Sequence, residues 1–170
     1  MLNSAISGNA TENSDEKEPV KIVLADDDKE DQEIFIEALD AANIPSELTT
    51  VENGQELIDH LKDETEPNPD VIFMDINMPV KGGKEALEEI KNDAELKEIP
   101  TIMLSTSNNP KDIEETFDKG ANLYVQKPNS INGLILILKK VFSLLWTKTL
   151  VQRLKPFFFV SEKNISSEDK

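Results

Sequence analysis

Val20-Lys21-Ile22-Val23-Leu24-Ala25, followed at once by Asp26-Asp27-Asp28, is an apolar run interrupted only by Lys21 that breaks into three acids. It is short for a helix and lacks the alternation of a half-solvated strand, so it reads as a strand buried on both faces. Asp28 can cap the helix that follows, acids fill its first turn, and Ile34, Phe35, Ala38, Leu39 and Ala42 form its stripe before Asn43 and Pro45 stop it. The same alternation continues outward. Glu47 to Val51 is a weak strand, Asn53-Gly54 a turn and Gln55 to Lys62 a short helix. Val71-Ile72-Phe73-Met74 is a second buried strand ending at Asp75, and a Met78-Pro79…Gly82-Gly83 loop leads to a helix from about Lys84 to Lys91. Pro100 opens Thr101-Ile102-Met103-Leu104, ending at Ser105. Asn109-Pro110 starts the next helix and Gly120 ends it. Leu123-Tyr124-Val125-Gln126 is the fifth strand, ending at Lys127-Pro128. Five strand–helix pairs in strict alternation imply a doubly wound α/β fold, a parallel sheet with five helices on its two faces.

Composition narrows the function. The 170 residues suit one domain with an appendage, and 38% hydrophobic residues suffice for a core. A net charge of -16 opposes binding to nucleic acid or anionic lipid. The absence of cysteine removes disulfides, thiolate metal sites and cysteine nucleophiles, and one histidine excludes a His-cluster metal site. No secretory leader pattern and no run of about 18 apolar residues is present, so the expected location is the cytoplasm, with no membrane partner.

In an open parallel sheet, ligands bind beyond the carboxyl ends of the strands. Here those ends carry Asp26 and Asp27, Asp75, Ser105 and Lys127. Neither a dinucleotide nor a P-loop glycine motif competes. Three carboxylates in one crevice repel one another unless a cation joins them, and an all-oxygen set favours Mg²⁺. A hard cation, an ammonium and a hydroxyl around one free carboxylate are the equipment for in-line phosphoryl transfer to that carboxylate.

Over about residues 20–145 these pieces, in order, resemble the receiver domain of two-component response regulators. They are Asp26-Asp27, Asp75-Ile76-Asn77-Met78-Pro79, Ser105 and Tyr124-Val125-Gln126-Lys127-Pro128. The resemblance implies a CheY-like, flavodoxin-like five-stranded sheet of order 2-1-3-4-5. It implies Asp75 as phosphoacceptor, with Mg²⁺ held by Asp27 directly, Asp26 through water, Asp75 and the Asn77 carbonyl. Ser105 is similar to the switch hydroxyl, Tyr124 to the switch aromatic and Lys127 to the ion-pairing lysine. The Lys127–Pro128 peptide is expected to be cis. Asn77 and Ser107 occupy the positions that tune phosphoryl hydrolysis in the family. Serine at 105 departs from the commoner threonine but keeps the hydroxyl. The stretch between the second helix and third strand is longer than in a minimal receiver, as in receivers that resemble partners of phytochrome-type sensor kinases.

The domain reading is a disordered leader at 1–18, the receiver at 19–146 and a tail at 147–170, with no effector domain expected after it. The implied function is that of a single-domain response regulator: it accepts a phosphoryl group from a sensor histidine kinase or a histidine-phosphotransfer protein and switches a protein-binding surface. Beyond self-phosphorylation and self-dephosphorylation it is not expected to be an enzyme. Two rivals stand beside this reading. One is a haloacid dehalogenase-type phosphatase, suggested by Asp26-Asp27-Asp28, and the other a pseudo-receiver that binds partners without phosphorylation. In the last helix, Leu134, Leu138, Val141 and Leu145 form the expected core stripe, flanked by Ile135, Phe142 and Trp146 and by Ile137 and Leu144. The excess apolar face leaves two readings open: a homodimer or partner contact through Tyr124 and this helix, aided by Phe157, Phe158 and Phe159, or a tail folded back over its own helix.

Overall fold

The computed structural model describes residues 18–146 and 158–166; the expected leader, apart from residue 18, and Phe157 lie outside them. The elements are β1 (Val20–Ala25), α1 (Lys29–Ala41), β2 (Ser46–Val51), α2 (Gly54–Leu61), β3 (Val71–Asp75) and α3 (Gly83–Asn92). Then come β4 (Thr101–Ser105), α4 (Pro110–Asp118), β5 (Leu123–Gln126), α5 (Ile131–Trp146), β6 (Phe159–Val160) and α6 (Glu162–Ile165). All neighbouring strands are parallel, in the order β2-β1-β3-β4-β5-β6.

The two-residue period of a strand explains why Ile22 to Ala25 of β1 and Val71 to Met74 of β3 had to be apolar on both faces. Ile22 and Leu24 enter the core under α1 and α5, while Val23 and Ala25 enter the opposite one under α2 and α3. Phe73 anchors the first core, with its ring 5.0 Å from Phe35 of α1 and 6.0 Å from Phe142 of α5. Burying such a side chain contributes roughly 1.5–3 kcal/mol. On the second face, Leu57, Ile58, Leu87 and Ile90 cover Ile72 and Met74. The edge strand β2 has no fully buried residue, which is why its pattern is weak in the sequence.

Local chemistry sets the helix ends. Asp28 caps α1, accepting from the backbone N–H of Glu30 at 2.9 Å and Asp31 at 3.3 Å. Asn53 and Gly54, expected as a turn, are instead the cap and first residue of α2, with the Asn53 side chain accepting from Glu56 N–H. Pro110 begins α4, and Gly120 follows its end at φ 103°, a conformation that side chains with a Cβ rarely adopt.

Three expectations need correction. The sheet has six strands, not five, because Phe159 and Val160 pair with Tyr124 and Val125 beyond the expected edge. A two-residue strand has no periodicity to read. The Lys127–Pro128 peptide is trans, not cis; trans is the favoured isomer of an X–Pro bond by about 0.5–1 kcal/mol, and Lys127 reaches its carboxylate partners from it. In α5 the buried face is Leu134, Ile137, Leu138, Val141 and Phe142, so Leu145 is only partly covered. Among the described residues, no helix is long and apolar enough to cross a membrane.

Candidate functional site

The acids at the end of β1 are placed by the strand and by the first turn of α1. Asp26 is 1% exposed. Its Oδ1 accepts from Asp28 N–H at 3.0 Å, and its backbone carbonyl accepts from Gln32 Nε2 at 2.6 Å. Asp27, next in sequence, is exposed. Asp75 is the last residue of β3, half-buried, with Oδ1 accepting from Asn77 N–H at 3.4 Å. Because β1 and β3 are hydrogen-bonded neighbours, with Ala25 paired to Met74, their next residues emerge together. One oxygen each of Asp26, Asp27 and Asp75 lies within 4.8 Å of the others.

Lys127, just past β5, reaches across β4 to this cluster. Its Nζ donates to Asp26 Oδ2 and Asp31 Oδ2, both at 2.8 Å, and lies 3.5 Å from Asp75 Oδ2. Burial alone would lower the pKa of this ammonium, but the hydrogen bonds to Asp26 and Asp31, with the charge of Asp75, outweigh it and hold the group above the ordinary lysine value. Asp75 moves the other way for a carboxylate. Burial raises its pKa, Lys127 opposes that, and the like charge of Asp26 adds to the rise. An ionised Asp75 is therefore under-compensated by the protein's own groups, which is the condition a divalent cation relieves.

Ser105 closes β4 and is buried; its Oγ accepts from Ser107 N–H at 3.1 Å, and its carbonyl accepts from Lys127 N–H at 2.7 Å. Tyr124 is fully buried and donates its hydroxyl to the Ser107 carbonyl at 2.9 Å. Burial raises the pKa of that phenol, with a hydrogen bond to Ser105 opposing, so it stays a donor. Asn77 lies exposed two residues past Asp75.

The fold thus gathers Asp26, Asp27, Asp75 and Lys127 into one cluster, with Ser105 and Tyr124 linked through Ser107 on the adjoining loop. Two participants went unnoticed in the sequence. Asp31 holds Lys127, and Gln32 holds the Asp26 backbone. The available signal was that Asp31 lies four residues after Asp27, one helical turn on, but an acid there also suits the helix dipole and invites no further question.

A family model described as the response regulator receiver domain matches residues 22–139. The response regulator Rcp1 of Synechocystis sp. is 33% identical over 141 residues, covering 80% of this chain and 95% of that protein. The polar-differentiation response regulator DivK of Brucella anthropi is 29% identical, covering 71% and 94%. Among solved structures, the phosphorylated cyanobacterial phytochrome response regulator RcpA superposes with a TM-score of 0.71 at 36% identity, over 76% of this chain and 96% of that one. The Mn²⁺-bound form of Rcp1 superposes with a TM-score of 0.67 at 32% identity, over 74% and 93%.

Proposed function

Since the chain belongs to the response regulator receiver family and is a two-component response regulator, we propose that Asp75 is its phosphoacceptor and that Asp26, Asp27, Asp75 and the Asn77 carbonyl hold Mg²⁺ beside it. The observation that carries this is the convergence of three carboxylates within 4.8 Å, with Lys127 Nζ 3.5 Å from Asp75. Every side-chain donor in the cluster is a hard oxygen, the set that suits Mg²⁺.

In the proposed reaction an Asp75 carboxylate oxygen attacks the phosphorus of a phosphohistidine on a sensor kinase or histidine-phosphotransfer protein. The O–P bond forms as the P–N bond breaks, and the imidazole leaves. Charge on the phosphoryl oxygens is met by Lys127, already held at the site, and by the Ser105 hydroxyl after it gives up Ser107 N–H. A divalent cation held by Asp26, Asp27, Asp75 and the Asn77 carbonyl would supply further electrostatic stabilisation of the phosphoryl charge. Tyr124, tied to Ser107, would then repack, so that new charge at Asp75 biases a two-state surface. The chain's own chemistry would go no further than taking up and losing the phosphoryl group, in the cytoplasm where such a kinase presents it.

The rivals fare worse. A phosphatase nucleophile at Asp26 would have to attack from a residue that is 1% exposed and bound by Lys127. A non-phosphorylated binding module would have no use for the assembled cluster. A homodimer through Tyr124 is not part of the proposal, since Tyr124 has no exposed surface. The test is intact mass after incubation with acetyl phosphate and Mg²⁺. One phosphoryl adduct is expected, absent in Asp75→Asn. No adduct on the wild type, or one that survives in Asp75→Asn, overturns the assignment.

A further inference from the structure

Five large apolar side chains are exposed among the described residues. Val80 is one; the others are Ile34 and Ile36 of α1, 42% and 44% exposed, and Leu136 and Trp146 of α5, 44% and 45% exposed. α1 and α5 are neighbours on one face of the sheet, joined through Phe35, Phe73 and Phe142 in the core beneath them. A single exposed apolar residue is ordinary on a protein surface, but four on two adjacent helices concentrate apolar area in one layer, the mark of an interaction surface.

The charges on the two helices are opposite. Glu30, Glu33, Glu37 and Asp40 are exposed on α1, whose only base is Lys29. α5 has no acid in its 16 residues, and Lys139 lies on its exposed face beside the partly covered Lys140. It is the one described helix without an acid, in a stretch from Lys119 to Ser161 that holds no Asp or Glu although the chain carries a net charge of -16. Glu37 lines the crevice between the helices with Ile34, Ile131 and Leu134. Neither Glu37 nor Lys139 has an ion-pair partner among the described residues.

We propose that this face binds the same face of a second copy of the chain, α1 of each against α5 of the other, around a two-fold axis between the helices. A two-fold contact needs a surface that carries its own complement, because the same patch is used on both sides. An acidic helix beside a basic one, each with exposed apolar residues, is such a surface: a half-turn lays each on its opposite. The net charge opposes association at long range, but the Debye length of about 8 Å at physiological salt leaves the decision to charges at the contact. An acidic protein or an anionic membrane would suit α5 and be repelled by α1, whereas a second copy satisfies both helices at once. The β5 side of the sheet is already covered, since Phe159 and Val160 pair with β5 and Phe158 packs on Phe117 of α4.

Sedimentation velocity of the full chain over a concentration series, at about 0.15 M salt, tests this. A dimer with a dissociation constant of roughly 10–100 µM is expected for a contact at the low end of interface sizes. Lys139→Glu and Glu37→Lys should each weaken it at least tenfold. Glu37→Lys lowers the net negative charge of the chain, so its loss of dimer cannot come from overall repulsion. An equimolar mixture of the two variants should regain the wild-type affinity, because in the mixed dimer both α1–α5 contacts again join an acid to a base. Both side chains are exposed, so the variants should keep the wild-type melting temperature. A wild type that stays monomeric to about 1 mM overturns the proposal, and phosphatidylserine vesicles that bind such a monomer would assign the face to a membrane instead. Single variants that dimerise like the wild type, or a mixture no tighter than its components, overturn it equally.

Discussion

Lys127 is bound more closely by Asp31 than by Asp75: its Nζ is 2.8 Å from Asp31 Oδ2 and 3.5 Å from Asp75 Oδ2. An acid on α1 thus competes with the proposed phosphoacceptor for the one ammonium in the cluster. Asp31→Asn removes a charge-assisted hydrogen bond on a half-exposed side and leaves Lys127 free to lean toward Asp75. At about 0.5–1 kcal/mol for that contact, acetyl phosphate should load the variant roughly two- to fivefold faster. Stopped-flow fluorescence of Trp146 or timed intact mass reads the rate; an unchanged or slower rate refutes the competition.

Asp75→Asn should stabilise the protein in metal-free buffer. Burial and the charge of Asp26 raise the Asp75 pKa on folding, so the ionised group costs stability at neutral pH. The sign follows from proton uptake: the folded state binds more protons than the unfolded one between the two pKa values, so the wild type gains stability as pH falls through that range. A higher melting temperature is expected in the variant at pH 7, by roughly 2–4 °C for each kcal/mol gained. The gap should close under acid conditions, and a variant that melts lower at pH 7 contradicts the assignment.

Divalent cation should stabilise the wild type. At tenfold the dissociation constant, binding to the folded state alone adds about 1.4 kcal/mol, or roughly 3–5 °C in melting temperature. Asp27→Asn removes an exposed carboxylate of the cluster without touching the buried Asp26–Lys127 pair, so it should lose most of the Mg²⁺ response while its melting temperature in EDTA barely moves. Calorimetry with and without Mg²⁺ decides; an equal response in both proteins removes Asp27 from the ligand set.

Gly83 holds the phosphoacceptor loop against α3. A Cβ there would fall 2.1 Å from the Asp75 carbonyl oxygen and 2.9 Å from Ile76 Cα, both backbone atoms that cannot step aside. Gly83→Ala should cost about 3 kcal/mol or more and reduce adduct yield. At Gly82 the nearest such contact is 3.5 Å, so Gly82→Ala should stay within about 1 kcal/mol of wild type. Urea unfolding of the pair separates a local clash from a general intolerance of side chains in this loop.

Val80 adopts φ 64° on the same loop while 84% exposed. A β-branched residue in the left-handed region is strained by roughly 1–2 kcal/mol, and no burial offsets it. Asn43, at φ 54°, carries the residue type that tolerates this conformation. Val80→Asn should therefore raise stability by about 1 kcal/mol in urea unfolding; a loss would show that the valine side chain makes a contact worth more than its strain.

Much of this was legible in the residue order. β1, β3, β4 and β5 are buried on both faces along most of their length, so their middles had to be apolar, and the residues at their carboxyl ends had to emerge at one end of a parallel sheet. The residue order alone therefore puts Asp26, Asp27, Asp75, Ser105 and Lys127 at that end of the sheet. Caps at Asp28 and Asn109 were readable because they act within three residues of themselves.

What the order of residues could not supply depends on distance through space. Asp31 looks like an ordinary first-turn acid until Lys127, 96 residues away, is seen to rest on it. β6 is too short for a period, and it becomes a strand only because the unpaired backbone of β5 and the ring of Tyr124 are there to receive it. The proline isomer at 128 followed the same rule. Local propensity is written along the chain, whereas an ion-pair partner, an edge pairing or a peptide isomer is settled by which neighbours the completed fold brings within bonding range.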